Sequence, residues 1–363
     1  MAVLNVGAKR LQGTKLDRTG DSGVSVGGAW KQVAKGSLSS HATTLDVASI
    51  PNSRYLMVLY DIRDDGTNNN IHIGRVNDVT SNYDEQYDRY HGSSGSSNNG
   101  SYWNTGLGDG QYPSFGVEYL ASHSSEGLIW EQCEEVSRGS TGAGNDVIKG
   151  THKGNVANQS YVNKINLKTD FGSRRFGSGT EVTVLGWDDS NTHTENFWNQ
   201  LASVDLGSAG DVLTSGTFDA HKYLWVQILL DNDGTSNNIG SDITFNDDTG
   251  SNYSWLRHLD GTNESQHNSD DSCLGTSLTG HSGNMWACNL FICNIADQEK
   301  LFMGHHVTND GGAGAGTAPT KYSHFGGKWV NTSNQITKIT ATNTGNSNFS
   351  TRSYIKVFGG TPT

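Results

Sequence analysis

A segment of this chain occurs twice, and the two occurrences lie 168 residues apart. The sequence RYLMVLYDIRDDGTNNNIH at residues 54–72 is matched by KYLWVQILLDNDGTSNNIG at residues 222–240, so that Tyr55 corresponds to Tyr223. Self-similarity at a long, fixed period indicates a duplicated structural unit. The chain of 363 residues must therefore adopt a fold that it can build twice.

The repeat extends beyond these segments. Trp30 pairs with Trp198 at the same offset, and VNDVTSNY is matched by FNDDTGSNY. VNKINL is matched by ITKITA, and the closing segments FGSGTEVTVLG and FSTRSYIKVFG are 173 residues apart. An offset that grows by only a few residues, in loops, is what a tandem duplication leaves behind. The middle parts of the two copies align poorly.

Each copy has the pattern of β-structure. Apolar runs such as YLMVLYDI and YLWVQILL have strand length and are rich in β-branched and aromatic residues. The Asp-Gly pair that follows each run is a strong hairpin signal. Clusters of Gly, Asn, Asp and Ser separate the runs, and 9 Trp, 13 Tyr and 11 Phe are too many for a disordered chain. No segment of helical length shows apolar residues at helical spacing.

The predicted fold is all-β, with two tandem homologous antiparallel β-sandwich domains of jelly-roll-like type. We place an extended N-terminal arm at residues 1–29, the first domain at 30–190 and the second at 191–363. The arm carries Lys9, Arg10, Lys15 and Arg18 in an otherwise acidic chain. It is either a frayed terminus or a docking arm that becomes ordered on an acidic partner surface.

Charge and hydropathy exclude two classes of partner. The net charge of −12 argues against a nucleic-acid-binding protein, which needs a basic face. The sequence has no apolar run of about 18 residues and no secretory signal, so we expect no membrane contact and synthesis in a host cytoplasm. The four cysteines form no CxxC pair. They are interpreted as reduced core thiols, with a disulfide as the alternative.

Clusters of Asp and Asn offer oxygen ligands at a density that Ca²⁺ prefers. The candidate ligands are Asp231, Asp233 and Asp65, although the spacing of an EF-hand loop is absent. Ordinary hairpin chemistry is the alternative interpretation of these clusters. The 13 His are scattered through the sequence, and no metal or cofactor site other than Ca²⁺ is predicted.

The sequence shows no catalytic constellation. Glu134 and Glu135 are sequence neighbours, which does not suit the paired carboxylates of a glycosidase. A serine-nucleophile motif and a phosphate-binding loop are also missing. We therefore predict that the protein is not an enzyme.

The nine tryptophans could supply a surface for stacking against sugars. Most of them, including Trp30, lie near strand ends or within apolar runs, and core packing explains them. Trp103 in NNGSYWNTG and Trp255 in NYSWLRH are more loop-like. These two are the predicted glycan contacts.

The segments ITFNDDTGSNYSW, IADQEKLF and GKWVNTSNQITKI, together with the closing segments, resemble virion structural proteins of marine tailed phages. These include head-decoration, collar, tail and fibre components. The resemblance covers nearly all of the second copy and the two ends of the first. It brings no catalytic residues.

The resemblance implies a non-enzymatic virion component that acts through protein–protein contacts. Its partners would be the major capsid or tail proteins and further copies of itself, with a trimer favoured because two similar domains per chain give six similar units. The virion is then the expected location. The alternative is a carbohydrate-binding or receptor-binding fibre module that contacts a host surface glycan.

Overall fold

A computed structural model describes residues 30–65, 72–90, 93–100, 103–104, 112–122, 125, 127–169, 175–187, 196–233, 239–259, 263–278, 284–309 and 321–363. The predicted docking arm, with Lys9, Arg10, Lys15 and Arg18, lies outside the described residues. Every regular element within the described ranges is a β-strand, and all strand pairs are antiparallel. The predicted all-β antiparallel fold is confirmed. These ranges contain no helix long and apolar enough to cross a membrane.

The chain divides into two compact units. Unit 1 comprises Met1–Gly139, Ile148–Trp198 and Pro362–Thr363, and unit 2 comprises Ser140–Val147 and Asn199–Thr361. The strands of unit 1 are Lys31–Ser37 (β1), Thr44–Val47 (β2), Tyr55–Ile62 (β3), His72–Val76 (β4), Tyr83–Tyr90 (β5), Ser93–Gly100 (β6), Trp103–Asn104 (β7), Ser114–Ser122 (β8), Leu128–Ser137 (β9), Ile148–Ala157 (β10), Ile165–Thr169 (β11) and Glu181–Trp187 (β12).

Unit 2 contributes a second set of twelve strands. They are Asn199–Asp205 (β13), Val212–Thr214 (β14), Tyr223–Asp231 (β15), Ile239–Phe245 (β16), Tyr253–Leu259 (β17), Asn263–Asp270 (β18), Leu274–Leu278 (β19), Met285–Cys293 (β20), Lys300–Asn309 (β21), Lys321–Trp329 (β22), Ile339–Thr342 (β23) and Tyr354–Gly360 (β24).

Each unit contains one eight-stranded and one four-stranded sheet. In unit 1 the orders are β1-β12-β3-β8-β9-β10-β5-β6 and β2-β11-β4-β7. In unit 2 they are β13-β24-β15-β20-β21-β22-β17-β18 and β14-β23-β16-β19. Adding twelve to every strand number of unit 1 gives the order in unit 2. The repeat seen in the sequence therefore corresponds to a repeated strand order.

In each unit one hydrophobic core lies between the two sheets. In unit 1, Val58 and Val184 of the large sheet pack with Val47 and Leu167 of the small sheet. Because side chains alternate along a strand, each large sheet has an inner face toward this core and an opposite, outer face. The four cysteines are buried and free, as predicted, and none forms a disulfide.

The compact units depart from the predicted limits of 30–190 and 191–363 in two places. Unit 1 continues to Trp198, where the Phe197 amide donates to the carbonyl of Trp30 at 2.8 Å. The segment Ser140–Val147 belongs to unit 2, because the Gly142 amide donates to the Glu299 carboxylate at 2.8 Å. Hydrogen bonds between residues distant in sequence set these limits, which explains why the repeat pattern did not indicate them.

Candidate functional site

The outer face of the large sheet in unit 1 carries an open cavity of about 920 Å³, which we call the aromatic groove. Its direction follows from the strand register. One row of paired residues crosses six strands, and five strand spacings of about 4.8 Å make the row about 24 Å long. In order across β12, β3, β8, β9, β10 and β5, the row consists of Trp187, Tyr55, Ala121, Trp130, Asn155 and Asp84.

One end of the aromatic groove is built from ring side chains. The rings of Tyr55 and Trp187 lie 5.1 Å apart, and those of Trp30 and Tyr119 lie 6.5 Å apart. Trp130 is 54% exposed and Tyr119 is 37% exposed, although large aromatic side chains are usually buried. Alternation explains their position, because Ile129 and Leu120, their sequence neighbours, point into the core.

The other end of the aromatic groove is polar. Asp84 and Gln86 of β5, Gln132 of β9 and Lys153 of β10 are exposed, and Asn155 is half-buried. A ligand that lay along the row would meet flat apolar surfaces first and then hydrogen-bonding groups. A concave site with aromatic walls and a few polar groups suits an amphipathic ligand.

Of the two predicted glycan contacts, Trp255 is not part of this groove. Trp255 lies in β17 of unit 2 and is 2% exposed, with its ring stacked on His267 at 4.0 Å. The expected exposure of Trp255 was wrong, because alternation directs it to the inner face, where it belongs to the core. Trp103 forms part of β7, and its side chain lies outside the described residues.

Sequence reasoning assigned Trp30 to core packing and did not consider Trp130 or Trp187. The segment LIWEQCEEV gives no clear signal for Trp130, because both of its alternating sets of residues mix apolar and polar side chains. The pairing of β9 with β8 and β10 could not be derived from the sequence. Only this pairing brings the aromatic side chains together.

The proposed calcium ligands are held by protein donors. Asp231 is fully buried, and both of its oxygens accept hydrogen bonds from Arg352, with Nε–Oδ2 and Nη2–Oδ1 distances of 2.9 Å. Asp65 accepts a hydrogen bond from Arg175 Nε at 2.9 Å, and Asp233 accepts one from Ser347 Oγ at 2.8 Å. A bound cation would have to displace these donors, so the arrangement favours the hairpin interpretation at all three positions.

Histidines that are scattered in the sequence meet on the outer face of unit 2. His305, His324 and His258 are register partners on β21, β22 and β17, and the first two rings are 6.3 Å apart. Within the described ranges no three His, Cys, Asp or Glu side chains are grouped so that they could hold a metal ion.

The inner face of the same unit 1 sheet carries a second polar feature, which the sequence did not reveal. Five ionisable side chains, each at most 5% exposed, occupy neighbouring positions on four strands. We call this set the inner-face cluster; its members are Glu85 of β5, Glu118 of β8, Glu131 and Glu135 of β9, and His152 of β10.

His152 is the centre of the inner-face cluster. Its Nδ1 lies 3.0 Å from Glu85 Oε1, and its Nε2 lies 2.6 Å from Glu135 Oε1. Burial alone would lower the pKa of His152, but Glu135 and Glu85 raise it to about 10. The imidazole is therefore a buried cation at neutral pH, with a carboxylate on each side.

The remaining carboxyl groups have no cation of their own. The Tyr60 hydroxyl donates to Glu118, and burial raises the pKa of Glu118 to about 7. Burial, followed by the nearby Glu118, raises the pKa of Glu131 well above its ordinary range, and neither Glu131 oxygen has a hydrogen-bond partner. An ionised carboxylate without a partner is costly to bury, so Glu131 carries a proton in the folded state.

Comparisons with known proteins identify no family. No family model matches the sequence, and no curated protein matches it. Among solved structures, an acyl-CoA hydrolase from Agrobacterium tumefaciens aligns over 63% of this chain and 76% of its own, with 8% identity and a TM-score of 0.13. The β domain of the Bordetella autotransporter BrkA aligns over 80% of this chain and all of its own, with 9% identity and a TM-score of 0.12. Similarity at this level supports no conclusion about function.

Proposed function

We propose that this protein is a non-enzymatic binding protein that holds an extended carbohydrate chain in the aromatic groove of unit 1. The observation that carries the proposal is the row of outward-facing aromatic and polar side chains across six strands, and none of these side chains is fully buried. Trp130 and Tyr119 lie in the open on a sheet whose other apolar residues are mostly buried. The faces of pyranose rings are apolar and their edges carry hydroxyl groups, which fits aromatic walls that lead into a polar end.

The length of the groove favours an oligomer over a single sugar. The row from Trp187 to Asp84 is about 24 Å long, which leaves room for several sugar residues side by side. Its aromatic side chains are distributed over the four strands β12, β3, β8 and β9, so each additional sugar that reaches one adds contact area.

Hydrolysis of the bound chain is disfavoured by the position of the acids. Glycosidases hold two carboxyl groups on either side of the bond that they cleave. Among the residues that line the aromatic groove, only Asp84 combines an acidic side chain with an exposed, outward position. Glu85 and Glu131 also border the cavity, but alternation places their carboxyl groups on the inner face.

The proposal predicts that Trp130→Ala will weaken glycan binding. Loss of one aromatic stacking surface costs about 1–3 kcal/mol by analogy with stacked bases, which corresponds to roughly 5- to 150-fold in affinity. The test is a screen of the full chain on an array of oligosaccharides, followed by calorimetric titration of the best ligand into the wild type and the variant.

A matched control is Tyr322→Ala, which removes an aromatic side chain that is 50% exposed on unit 2. This variant should bind as tightly as the wild type. If no oligosaccharide binds, or if Trp130→Ala binds as well as the wild type, the aromatic groove is not a carbohydrate site.

For the biological setting, we propose from the sequence resemblance alone that the protein is a structural component of a phage virion. The ligand of the aromatic groove would then be a glycan of the host surface. Docking to capsid or tail proteins through residues 1–29 and assembly into a trimer belong to the same proposal.

A further inference from the structure

The two units form an internal comparison, because the same strand order carries different residues on the inner face. Register-equivalent positions can be identified from paired strands: Val58 pairs with Glu118, and Val226 pairs with Leu290. When the pairing is followed across both sheets, each member of the inner-face cluster has one equivalent in unit 2. Glu85 corresponds to Trp255, Glu118 to Leu290, Glu131 to Phe302, Glu135 to His306 and His152 to Phe325.

In unit 2 four of these five positions form ordinary core. Trp255, Leu290, Phe302 and Phe325 all belong to its hydrophobic cluster. The Phe302 ring lies so close over Gly327 that there is no room for a β-carbon there. The fifth position is taken by His306, which is 4% exposed, and burial lowers its pKa to about 3. The fold is therefore complete without carboxyl groups at these positions, and the inner-face cluster of unit 1 is not a requirement of the architecture.

In unit 1, carboxyl groups take the place of these apolar side chains, and a carboxyl group is tolerated there only when it is protonated. The two oxygens of Glu131 are buried and lack partners, and Glu118 has the Tyr60 hydroxyl as its one hydrogen-bond partner among those described. A protonated carboxyl group is tolerated in such a place, whereas an ionised one is strongly disfavoured. The packing of the inner face is thus linked to the binding of protons.

Among the described side chains that face the inner-face cluster from neighbouring strands, none supplies a second buried cation. Tyr60 contributes from β3, Cys133 from β9 and Tyr83 from β5. From the small sheet, Val47, Val76, Ile165 and Leu167 face the core, and Arg75 acts on Tyr83 from β4. The side chains of His72, Tyr87 and Trp103 lie outside the described residues.

We propose that the inner-face cluster is a proton-operated switch: unit 1 stays closed while Glu118 and Glu131 hold protons, and it opens at this cluster when they lose them. Unit 2 has Leu290 and Phe302 at the positions of Glu118 and Glu131 and lacks this switch. The switch is independent of the proposed carbohydrate binding, although its four strands are among the six that the row of the aromatic groove crosses.

The direction of each pKa shift determines whether the closed state becomes more or less stable as the pH rises. The pKa of Glu118 rises from an ordinary 4.5 to about 7 in the folded state. A carboxyl group of this kind contributes stability that is fully present below 4.5 and is lost as the pH rises through 7. The pKa of His152 rises from 6.5 to about 10, so its contribution is present below 6.5 and is lost as the pH rises through 10. Both groups make the closed state less stable as the pH rises.

Cys133 provides a reporter of opening. Its thiol is 1% exposed on the inner face, between the strands that carry Glu118 and His152. Cys288 is a matched reference, since it is 7% exposed on the inner face of unit 2. Burial raises the pKa of both thiols, so a ratio of their reaction rates largely cancels the direct effect of pH on thiol chemistry.

The experiment labels the full chain with dithiodipyridine between about pH 5 and pH 9, a range that covers the titration of Glu118 and the part of the His152 titration below pH 9. Mass spectrometry of the peptides then gives the rate at Cys133 relative to that at Cys288. We expect the ratio to rise by at least about tenfold over this range, which corresponds to one pKa unit of linkage.

The double variant Glu118→Gln with Glu131→Gln cannot lose protons at these sites. Its ratio should rise at least about tenfold less than in the wild type, because only His152 still titrates in the cluster. Glu118→Leu with Glu131→Phe introduces the residues of unit 2 and should show the same reduced rise. Asp84→Asn, which changes an exposed carboxylate on the opposite face of β5, should keep the full rise. A flat ratio in the wild type, or a rise in the Gln variant as large as in the wild type, would overturn the proposal.

Discussion

Two buried tyrosines show how a single hydroxyl group fixes a turn in each unit. Tyr83 Oη accepts a hydrogen bond from the Val76 amide at 3.0 Å, and Tyr253 Oη accepts one from the Phe245 amide at 2.9 Å. Tyr253 Oη also donates to the carbonyl of Asp248 at 3.0 Å. Each ring lies in the core while its hydroxyl satisfies backbone groups that water cannot reach.

At this scale we predict that Tyr253→Phe will lower the free energy of unfolding by about 1–3 kcal/mol, because it leaves a buried amide without a partner. Tyr83→Phe should have an effect of similar size, since the two hydroxyl groups have equivalent roles. Urea unfolding of each variant gives the change.

Tyr322→Phe serves as the reference, because Tyr322 is half exposed and its hydroxyl can bond to water. This substitution should stay within about 0.5 kcal/mol of the wild type. Equal stabilities of Tyr253→Phe and Tyr322→Phe would show that the buried hydroxyl does not support the turn.

Among the elements, the turns that follow β4 and β16 are the clearest repeated feature. Asn77 and Asp78 have φ values of 55° and 58°, and Asn246 and Asp247 have φ values of 53° and 58°. Two successive positive φ values are the mark of a type I′ turn, and here each turn leads from a strand of the small sheet toward a strand of the large sheet. In each unit the Asn side chain also bonds to the backbone that leads into the neighbouring strand.

We predict that Asn246→Ala will destabilise unit 2 by about 4–5 kcal/mol. The change forces alanine into the left-handed region, at about 1–2 kcal/mol. It also removes the bonds from Asn246 Nδ2 to the Gln335 carbonyl and from the Thr337 and Lys338 amides to Asn246 Oδ1, each worth about 1 kcal/mol. The measurement is thermal unfolding by calorimetry.

Asn246→Asp should lose less stability than Asn246→Ala. Aspartate tolerates a positive φ and retains the acceptor oxygen, but it lacks the amide donor. If the two variants are equally stable, the side-chain bonds do not hold this turn.

The same elements show what could be predicted from the sequence. The segments VNDVTSNY and FNDDTGSNY were recognised as equivalent because a turn and its tyrosine are local features, only a few residues apart. The inner-face cluster depends instead on pairings over long distances: His152 meets Glu85 across 67 residues, and Tyr60 meets Glu118 across 58 residues. Alternation predicted that a strand has two faces, but the strand order decided which side chains become neighbours.

The two units of the molecule share one strand order and differ in the side chains that the strands carry. Unit 2 has apolar residues at four of the five positions where unit 1 has carboxyl groups and an imidazole, and His306 at the fifth. A duplicated fold allows one copy to keep these positions free of carboxyl groups while the other takes up polar functions. The aromatic groove and the inner-face cluster both lie in unit 1, on opposite faces of one sheet.

At this scale we predict self-association, as the trimer hypothesis requires. Light scattering of the purified protein should give about three times the chain mass of 39.1 kDa. A mass that stays near that of one chain at high concentration would contradict the trimer. The carbohydrate proposal does not depend on this outcome.

At one edge of each large sheet lies a strand with an unusual composition, β6 in unit 1 and β18 in unit 2. β6 reads SSGSSNNG and β18 reads NESQHNSD, so neither offers a single aliphatic or aromatic side chain to an approaching strand. An exposed edge of a β-sheet can pair with another chain and so start a fibril. Polar or charged residues at such an edge discourage this pairing. These two edges should therefore resist pairing with other copies of the chain.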